Sequence, residues 1–268
     1  MLKTFEYKSE PTVREVTTRD GDGFKSRLVV FTTVGGVRRM AEIVTPDQEG
    51  PYPGILYVHW YEPQADTSNR TQFRQEATKL AQSGVASMMI ETVWSDKDWF
   101  LKRTQADDAD TNVQVVLELR QAMDVFLQEV DVDPKKFAYV GHDFGAMYGV
   151  LMGSIDPRPT QYVLMAGTPR FHEWFLYYPA LEGDERDKFI EDMAIYNPIG
   201  RVAKLAPVPV YFQFGNDDPH VPLERAKDFF DAAQEPKKVD YYECGHGLNE
   251  DAEADRMAWL KDQLGLAK

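Results

Sequence analysis

Apolar residues in the first fifty positions are spaced as in extended chain. Two strand-like runs, 27–34 and 37–44, flank the glycine pair Gly35 and Gly36. Paired glycines between two such runs predict a tight antiparallel hairpin. After a turn-rich stretch, residues 55–58 are all apolar, as expected of a strand that is buried on both faces. The pattern therefore predicts a hairpin followed by a central strand.

Beyond residue 70, helical periodicity alternates with short apolar runs. Apolar residues at helical spacing occur in 73–81, 119–130, 223–233 and 257–264, and strand-like runs occur in 85–90, 137–140, 162–165, 210–214 and 239–243. This alternation predicts an α/β fold with a mostly parallel central sheet and helices on both faces. Neither a linker nor a repeat interrupts it, so we expect one domain over residues 1–268.

Composition narrows the possible partners and locations. Of the 268 residues 43% are hydrophobic, which is enough for a large core. No run approaches the roughly 20 apolar residues of a membrane helix, and the N-terminus lacks a secretory-signal pattern. We therefore expect a cytoplasmic protein, and the single cysteine, Cys244, agrees with a reducing compartment. The formal charge of −14 disfavours nucleic acid but leaves the class of substrate open. The partner that we expect, a small-molecule substrate, follows from the candidate site residues.

The segment 141–145 has the spacing of a sharp turn that exposes a reactive side chain. It reads Gly-His-Asp-Phe-Gly, follows the strand-like run 137–140 and precedes a helix-compatible run. Glycines two positions either side of Asp143 allow the backbones to pack closely around a strained strand-to-helix turn. The alternative is that these glycines only form a tight turn and that Asp143 caps the helix.

Two later loops supply the partners that a nucleophile at residue 143 would need. A histidine base and an acid should follow it at the ends of later strands, since strand ends of a parallel sheet share one edge. His246 follows the run 239–243, and two carboxylates, Asp217 and Asp218, follow the run 210–214. We favour Asp218 as the acid because it directly precedes Pro219, where the loop turns back, and Asp217 stays open. We expect His220 to be a surface group.

Five stretches together resemble the α/β-hydrolase superfamily, and within it the dienelactone-hydrolase-like branch. The resemblance runs the length of the chain and rests on 53–59, 132–134, 141–146, 215–222 and 245–246. It implies a catalytic triad of Asp143, His246 and Asp218. It also implies an oxyanion hole of two backbone N–H groups, one from Phe144 and one from the loop after Val58. That loop reads His59-Trp60-Tyr61, where relatives usually have His-Gly, and Trp60 is our choice for the second donor, with Tyr61 as the alternative.

An aspartate at the nucleophile position changes the expected chemistry. Attack of a carboxylate on an ester gives a reactive anhydride, whereas attack on a saturated carbon that carries a halide or an epoxide oxygen gives an ordinary enzyme ester. His246 would then activate water to attack the carboxyl carbon of Asp143. Haloalkane dehalogenases, fluoroacetate dehalogenases and epoxide hydrolases, whose elbows are similar to this one, are understood to work in this way. Many of them have tryptophan directly after the aspartate, where this chain has Phe144.

Three hypotheses follow from this reasoning. The first is a hydrolase with Asp143 as nucleophile, acting on a carbon–halogen, epoxide or unusual ester substrate. The second is a serine-esterase-like protein whose nucleophile has been replaced, so that it binds ligand without turnover. The third is a non-hydrolytic use of the same pocket, as in a lyase or a binding protein. The mechanism of the first hypothesis requires only water, so we expect no cofactor.

Aromatic residues cluster in the segment 167–200, which we name the cap segment. Trp174, Tyr177 and Tyr178 lie there, and a short lid over the site is one interpretation. We expect Trp174, Tyr61 and His59 to contact substrate. The cap aromatics could equally form a homodimer surface. The carboxylates Asp107, Asp108 and Asp110 precede a predicted helix, whose dipole favours negative charge at that end, so we expect no metal site there.

Overall fold

The computed structural model describes residues 5–8, 11–67 and 69–266 and contains a nine-stranded sheet. The strand order in space is β1-β2-β3-β5-β4-β6-β7-β8-β9. The strands are β1 (Val13–Asp20), β2 (Phe24–Thr32), β3 (Arg38–Pro46), β4 (Tyr52–Val58), β5 (Ala86–Ile90), β6 (Val132–His142), β7 (Gln161–Met165), β8 (Val210–Gly215) and β9 (Lys237–Tyr242).

The first three strands are antiparallel and the remaining six are parallel to one another. The predicted hairpin is formed by β2 and β3, with Phe31 opposite Arg39. One further strand, β1, pairs with the outer edge of β2, and nearly all of its side chains are exposed. The antiparallel part is thus larger by one strand than the hairpin we predicted. The remaining strands lie where the apolar runs placed them.

Eight α-helices connect and cover the described strands. They are α1 (Arg74–Ala81), α2 (Trp99–Lys102), α3 (Gln105–Glu129), α4 (Phe144–Gly153), α5 (His172–Phe175), α6 (Gly183–Met193), α7 (Leu223–Ala232) and α8 (Glu250–Gln263). Alternate residues of β4 divide the core into two layers: Leu56 packs with α3, α4 and α7, whereas Tyr57 packs with α1 and α8. The sheet is therefore buried on both faces, as its continuous apolar strands predict.

This topology brings the carboxyl ends of β4, β6, β8 and β9 to a common edge. The loops that follow those strands carry the candidate residues, and the cap segment with α5 and α6 lies between β7 and β8. No helix within the described residues is both long enough and apolar enough to span a bilayer.

Candidate active site

Asp143 occupies a strained turn between β6 and α4. Its backbone has φ 56° and ψ −116°, a left-handed conformation that is unfavourable for any residue with a side chain. A Cβ on Gly145 would overlap the carbonyl of Val58, and one on Gly141 would overlap the backbone of Gly145. Glycine is therefore required at both positions, and the turn holds β6 and α4 against β4.

The Asp143 carboxyl group lies in a buried, amide-lined position. Only 2% of the residue is exposed. Its Oδ2 accepts a hydrogen bond from the backbone N–H of Tyr61 at 3.3 Å, and the N–H of Phe144 donates to the same carboxyl group. We name these two N–H groups the amide pair. Burial raises the pKa of Asp143 to about 6, although His246 and the amide pair favour the ionised form.

His246 is oriented by Asp218. Nδ1 of His246 lies 2.8 Å from Oδ2 of Asp218, whose Oδ1 accepts the N–H groups of His220 and Val221 at 2.8 and 3.1 Å. Burial opposes the charge on Asp218, yet the hydrogen bond from His246 and these amides hold its pKa below the usual value. The acid in contact with the histidine is thus Asp218, while Asp217 is exposed to solvent.

A gap separates the histidine from the aspartate. Nε2 of His246 and Oδ1 of Asp143 are 4.0 Å apart, which is too far for a hydrogen bond. Both atoms are buried, and neither has a hydrogen-bond partner within the described residues. Because a water forms hydrogen bonds of about 2.8 Å, a single water could bridge the two atoms.

The charges of Asp143 and Asp218 also affect the pKa of His246. Burial lowers the pKa of His246, but Asp218 and Asp143 outweigh it, and the net shift is upward. Since the Asp218 carboxylate can only accept, Nδ1 of His246 carries a proton and Nε2 is the atom that can act as a base.

The second amide donor is Tyr61, which corrects our choice of Trp60. The Trp60 N–H donates to Oε1 of Gln72 at 3.1 Å and is therefore not available to the site. Its indole stacks on the rings of His142 and His246, with centroid distances of 4.9 and 5.3 Å. These contacts hold residue 60 against the base of the site, so the next amide along the chain takes the position.

His59 has no free polar atom to offer a substrate, contrary to our expectation. It is buried, and its Nδ1 donates to the carbonyl of Trp60 at 2.6 Å while Nε2 lies 2.8 Å from Oγ of Ser95. Burial lowers its pKa to about 4, so the ring is neutral near pH 7. His59 therefore supports the loop. The hydroxyl of Tyr61, another expected substrate contact, donates to the carbonyl of Lys97 at 2.6 Å.

The cap segment brings one of its aromatic side chains to the site. Trp174 on α5 packs edge-on against His246, with centroids 5.9 Å apart, and against Phe144 at 5.6 Å. Its Nε1 is buried and finds no hydrogen-bond partner in the described part of the chain. Tyr177 and Tyr178, by contrast, are 55% and 48% exposed.

An ion pair fastens the cap segment to the core. Arg103 pairs with Asp108 at 2.7 Å and also donates to the carbonyls of Phe175 and Tyr178. Asp108, which we assigned to the start of a helix, therefore holds this arginine. Within the described residues, no cluster of histidine, cysteine, aspartate and glutamate is arranged to hold a metal ion.

Two residues near the site escaped the sequence analysis. The ring of His220, which we expected at the surface, lies 5.2 Å from that of His246 and 5.1 Å from that of Trp174. Its place two residues after the acid was an available signal. Gln72 bonds to Trp60 and to His142, but it comes from the turn before α1, and no local pattern marks it.

Comparison with solved structures identifies the fold. An acetyl xylan esterase from a Paenibacillus species has a TM-score of 0.80 at 16% identity, covering 97% of this chain and 92% of its own. Acetyl xylan esterase 1 from a Thermoanaerobacterium species has a TM-score of 0.75 at 14% identity, covering 98% and 90%. The α/β hydrolase GrgF from a Penicillium species has a TM-score of 0.65 at 15% identity, covering 90% and 99%.

The chain therefore has the α/β-hydrolase fold. At these identities the likeness concerns the fold alone. No protein-family model matches the chain, and neither does any curated protein.

Proposed function

We propose that the protein is a hydrolase that uses Asp143 as nucleophile, His246 as base and Asp218 as the acid that orients the base. One observation carries the proposal: Oδ2 of Asp143 accepts a hydrogen bond from the Tyr61 N–H, while Oδ1 has no partner among the described residues and lies 4.0 Å from Nε2 of His246, a gap that one water can bridge. In a carboxylate held in this way, one oxygen is fixed by a hydrogen bond and the other is free to attack.

The first step forms an ester. Oδ1 of Asp143 attacks a saturated carbon and forms a carbon–oxygen bond, while the bond from that carbon to the halogen or oxygen of the substrate breaks with its electron pair. A halide or carboxylate then departs, whereas an epoxide oxygen stays attached to the substrate and takes up a proton. The pKa of about 6 leaves Asp143 largely ionised at neutral pH. Its partial desolvation strengthens it as a nucleophile, because fewer favourable contacts with solvent have to be broken.

The second step hydrolyses the ester. His246 takes a proton from water, and the resulting hydroxide attacks the carboxyl carbon of Asp143. Negative charge then develops on Oδ2, which already accepts the Tyr61 N–H, while the Phe144 N–H donates to the same carboxyl group. Collapse breaks the bond between the carboxyl carbon and Oδ1, so the alcohol leaves with Oδ1 and the carboxylate is restored. Asp218 and Asp143 both raise the pKa of His246, and alkylation removes the Asp143 charge. The pKa of His246 therefore falls once the ester has formed, which favours the neutral ring that can act as a base.

The stability costs of the arrangement support a working site. A non-glycine residue at positive φ costs on the order of 1 kcal/mol or more, and a buried carboxylate with a raised pKa adds to that cost. Asparagine at position 143 would remove the buried charge and its cost in stability. Aspartate at such a position is therefore expected where the negative charge takes part in the chemistry.

The surroundings favour a small, mostly apolar organic substrate. The rings of Trp60, Trp174 and His220 pack against the ring of His246, and Phe144 packs against Trp174. Carbon–halogen compounds, epoxides and unusual esters fit this chemistry. Phe144 has no side-chain donor, so the unpartnered indole N–H of Trp174 is the donor that we assign to the leaving group.

A serine-esterase-like protein with a replaced nucleophile is the second candidate. Two observations favour it. The side chain at position 143 lies beside a backbone N–H donor and a histidine that is paired with an acid, which are the groups that a serine hydrolase needs around its nucleophile, and neighbours of similar fold are named as esterases. In that case Asp143→Ser should create turnover of aryl acetates.

Trapping the ester separates the two candidates. In His246→Gln the first step persists and the second fails, so intact mass spectrometry after exposure to haloalkanoates, terminal epoxides and aryl acetates should show one stoichiometric adduct, located on Asp143 by peptide mapping. Asp143→Asn is the matched control and should show none. Absence of an adduct across the panel, together with ester turnover by Asp143→Ser, would establish the replaced-nucleophile alternative.

A further inference from the structure

Three loops of the site are joined beneath it by a chain of hydrogen bonds that the proposed chemistry does not use. The chain begins at the backbone N–H of Trp60, next to the Tyr61 donor, and passes through the side chains of Gln72 and His142. It ends at the backbone carbonyl of His246, the proposed base. The three distances are 3.1, 2.6 and 2.9 Å.

The chemistry of its ends fixes the direction of every hydrogen bond. The Trp60 N–H can only donate, so Gln72 presents Oε1 to it and Nε2 to His142. The His246 carbonyl can only accept, so Nε2 of His142 carries a proton. In a neutral ring, Nδ1 is then the acceptor that the Gln72 amide requires. Both ends therefore specify the same tautomer of His142.

We propose that Gln72 and His142 are positioning residues. Their hydrogen bonds fix the loop of Tyr61, the turn of Asp143 and the loop of His246 relative to one another, and we call this pair the relay. The predicted effect of the relay on catalysis rests on the proposed function. The hydrogen bonds and the tautomer of His142 do not depend on it. The effect of the relay is to set the one-water gap between the base and the nucleophile.

Packing alone does not account for this pair. The ring of His142 is fully buried and stacks on Trp60, and an apolar ring of similar size could fill the same space. Burial lowers the pKa of His142 far below its usual range, which keeps the ring neutral and the tautomer unique. Because every polar side-chain atom of Gln72 and His142 has a hydrogen-bond partner, the pair specifies one arrangement of the loops. An apolar pair has no directional contacts and would permit several arrangements.

A double-mutant cycle measures whether the relay acts as a unit. His142→Phe keeps the ring and its stacking but removes both hydrogen bonds, and Gln72→Leu removes the amide. Each single variant should lower kcat about 100-fold, the effect of a misplacement of about 1 Å at a reacting centre, with KM changed by less than about threefold. The double variant should be no slower than either single variant, because one break already releases the loops.

Gln75→Leu is the matched control, since Gln75 lies one helical turn along and is exposed. It should retain the wild-type kcat. The positioning role would be overturned if the reductions in kcat of the two single variants added in the double variant. It would also be overturned if the substitutions changed KM alone.

Nitrogen-15 NMR of the imidazole rings tests the relay without any activity measurement. In the wild-type protein, His142 should show the neutral Nε2–H tautomer from about pH 5.5 to about pH 8, across the range where a free imidazole titrates. In Gln72→Glu, a carboxylate faces Nδ1 of His142, and the ring should become protonated on both nitrogens.

The outcomes keep the two proposals apart. A wild-type His142 with its proton on Nδ1, or a ring that is unchanged by Gln72→Glu, would overturn the relay whether or not the protein is active. The expected spectra in a protein that forms no adduct at Asp143 would sustain the relay and refute the proposed function.

Discussion

The two walls of the candidate site are built differently. On the sheet wall, which comprises Asp143, Asp218 and His246, hydrogen bonds hold Asp218, Nδ1 of His246 and Oδ2 of Asp143. Nε2 of His246 and Oδ1 of Asp143, which have no partner in the described structure, face each other. On the cap wall, aromatic rings supply the contacts, and the indole N–H of Trp174 is a polar group without a partner among the described residues. In the proposed function, the sheet wall makes and breaks bonds, and the cap wall selects the substrate and binds the leaving group.

The largest expected effect falls on the sheet wall at Asp143. Asp143→Asn replaces the attacking carboxylate with a weakly nucleophilic amide, so turnover of any substrate found in the panel should fall on the order of 10⁴-fold or more. Steady-state kinetics on purified protein measures the loss. Asp217→Asn, which changes an exposed carboxylate nearby, should retain wild-type turnover. More than about one hundredth of the activity surviving in Asp143→Asn would contradict nucleophilic attack by this residue.

The next effect separates the orienting acid from its neighbour. Asp218→Asn removes the negative charge that stabilises the protonated His246, so hydrolysis of the enzyme ester should slow by about 10³- to 10⁴-fold. Formation of the ester should persist, and a stopped-flow burst followed by slow turnover is the expected signature. Equal effects of Asp218→Asn and Asp217→Asn would show that the contact with His246 has no catalytic role.

Removing the Asp143 charge should also change stability with pH. The folded pKa of Asp143 is raised from 3.8 to about 6, so its ionisation weakens the fold as pH rises through that range. Asp143→Asn should therefore stabilise the protein at pH 8, by at most about 3 kcal/mol. The gain should shrink as pH falls through that range and vanish below about pH 3, where the wild-type residue is protonated in both the folded and the unfolded state.

Thermal denaturation of both proteins at several pH values tests this dependence. Wild-type and Asp143→Asn protein that differ equally at all pH values would show that the carboxylate is not buried as described.

The smallest effect tests the cap wall. Trp174→Phe keeps an aromatic ring against Phe144 and removes the N–H, so the rate of ester formation should fall by about tenfold, the value of one hydrogen bond to a developing charge. The fall should be greater for poor leaving groups than for good ones. Tyr177→Phe alters an exposed residue of the same segment and should leave the rate unchanged. If wild-type, Trp174→Phe and Tyr177→Phe protein form the ester at the same rate, the Trp174 N–H does not bind the leaving group.

Features that local sequence patterns encode were predicted from the sequence. Apolar runs and helical spacing located the parallel strands and their helices, because burial on both faces leaves a strong periodic signal. The glycines at 141 and 145 indicated the turn, since any side chain there would overlap the backbone. The exposed strand β1 lacked such a signal, because almost none of its side chains are buried.

Features that depend on distant contacts were not predicted. Whether residue 60 or 61 provides the second amide is decided by Gln72, which accepts the Trp60 N–H from the turn before α1. The burial of His59 depends on Ser95, 36 positions along the chain. The approach of His220 to Trp174 depends on how the cap segment packs, which no local spacing records.

The source of the product oxygen tests the central claim most directly. A single turnover with enzyme in excess, carried out in oxygen-18 water, should give product with unlabelled oxygen and place the label in the carboxyl group of Asp143. This result is predicted because water attacks the carboxyl carbon rather than the substrate. Product that carries the label in the first turnover, with an unlabelled Asp143, would contradict the account.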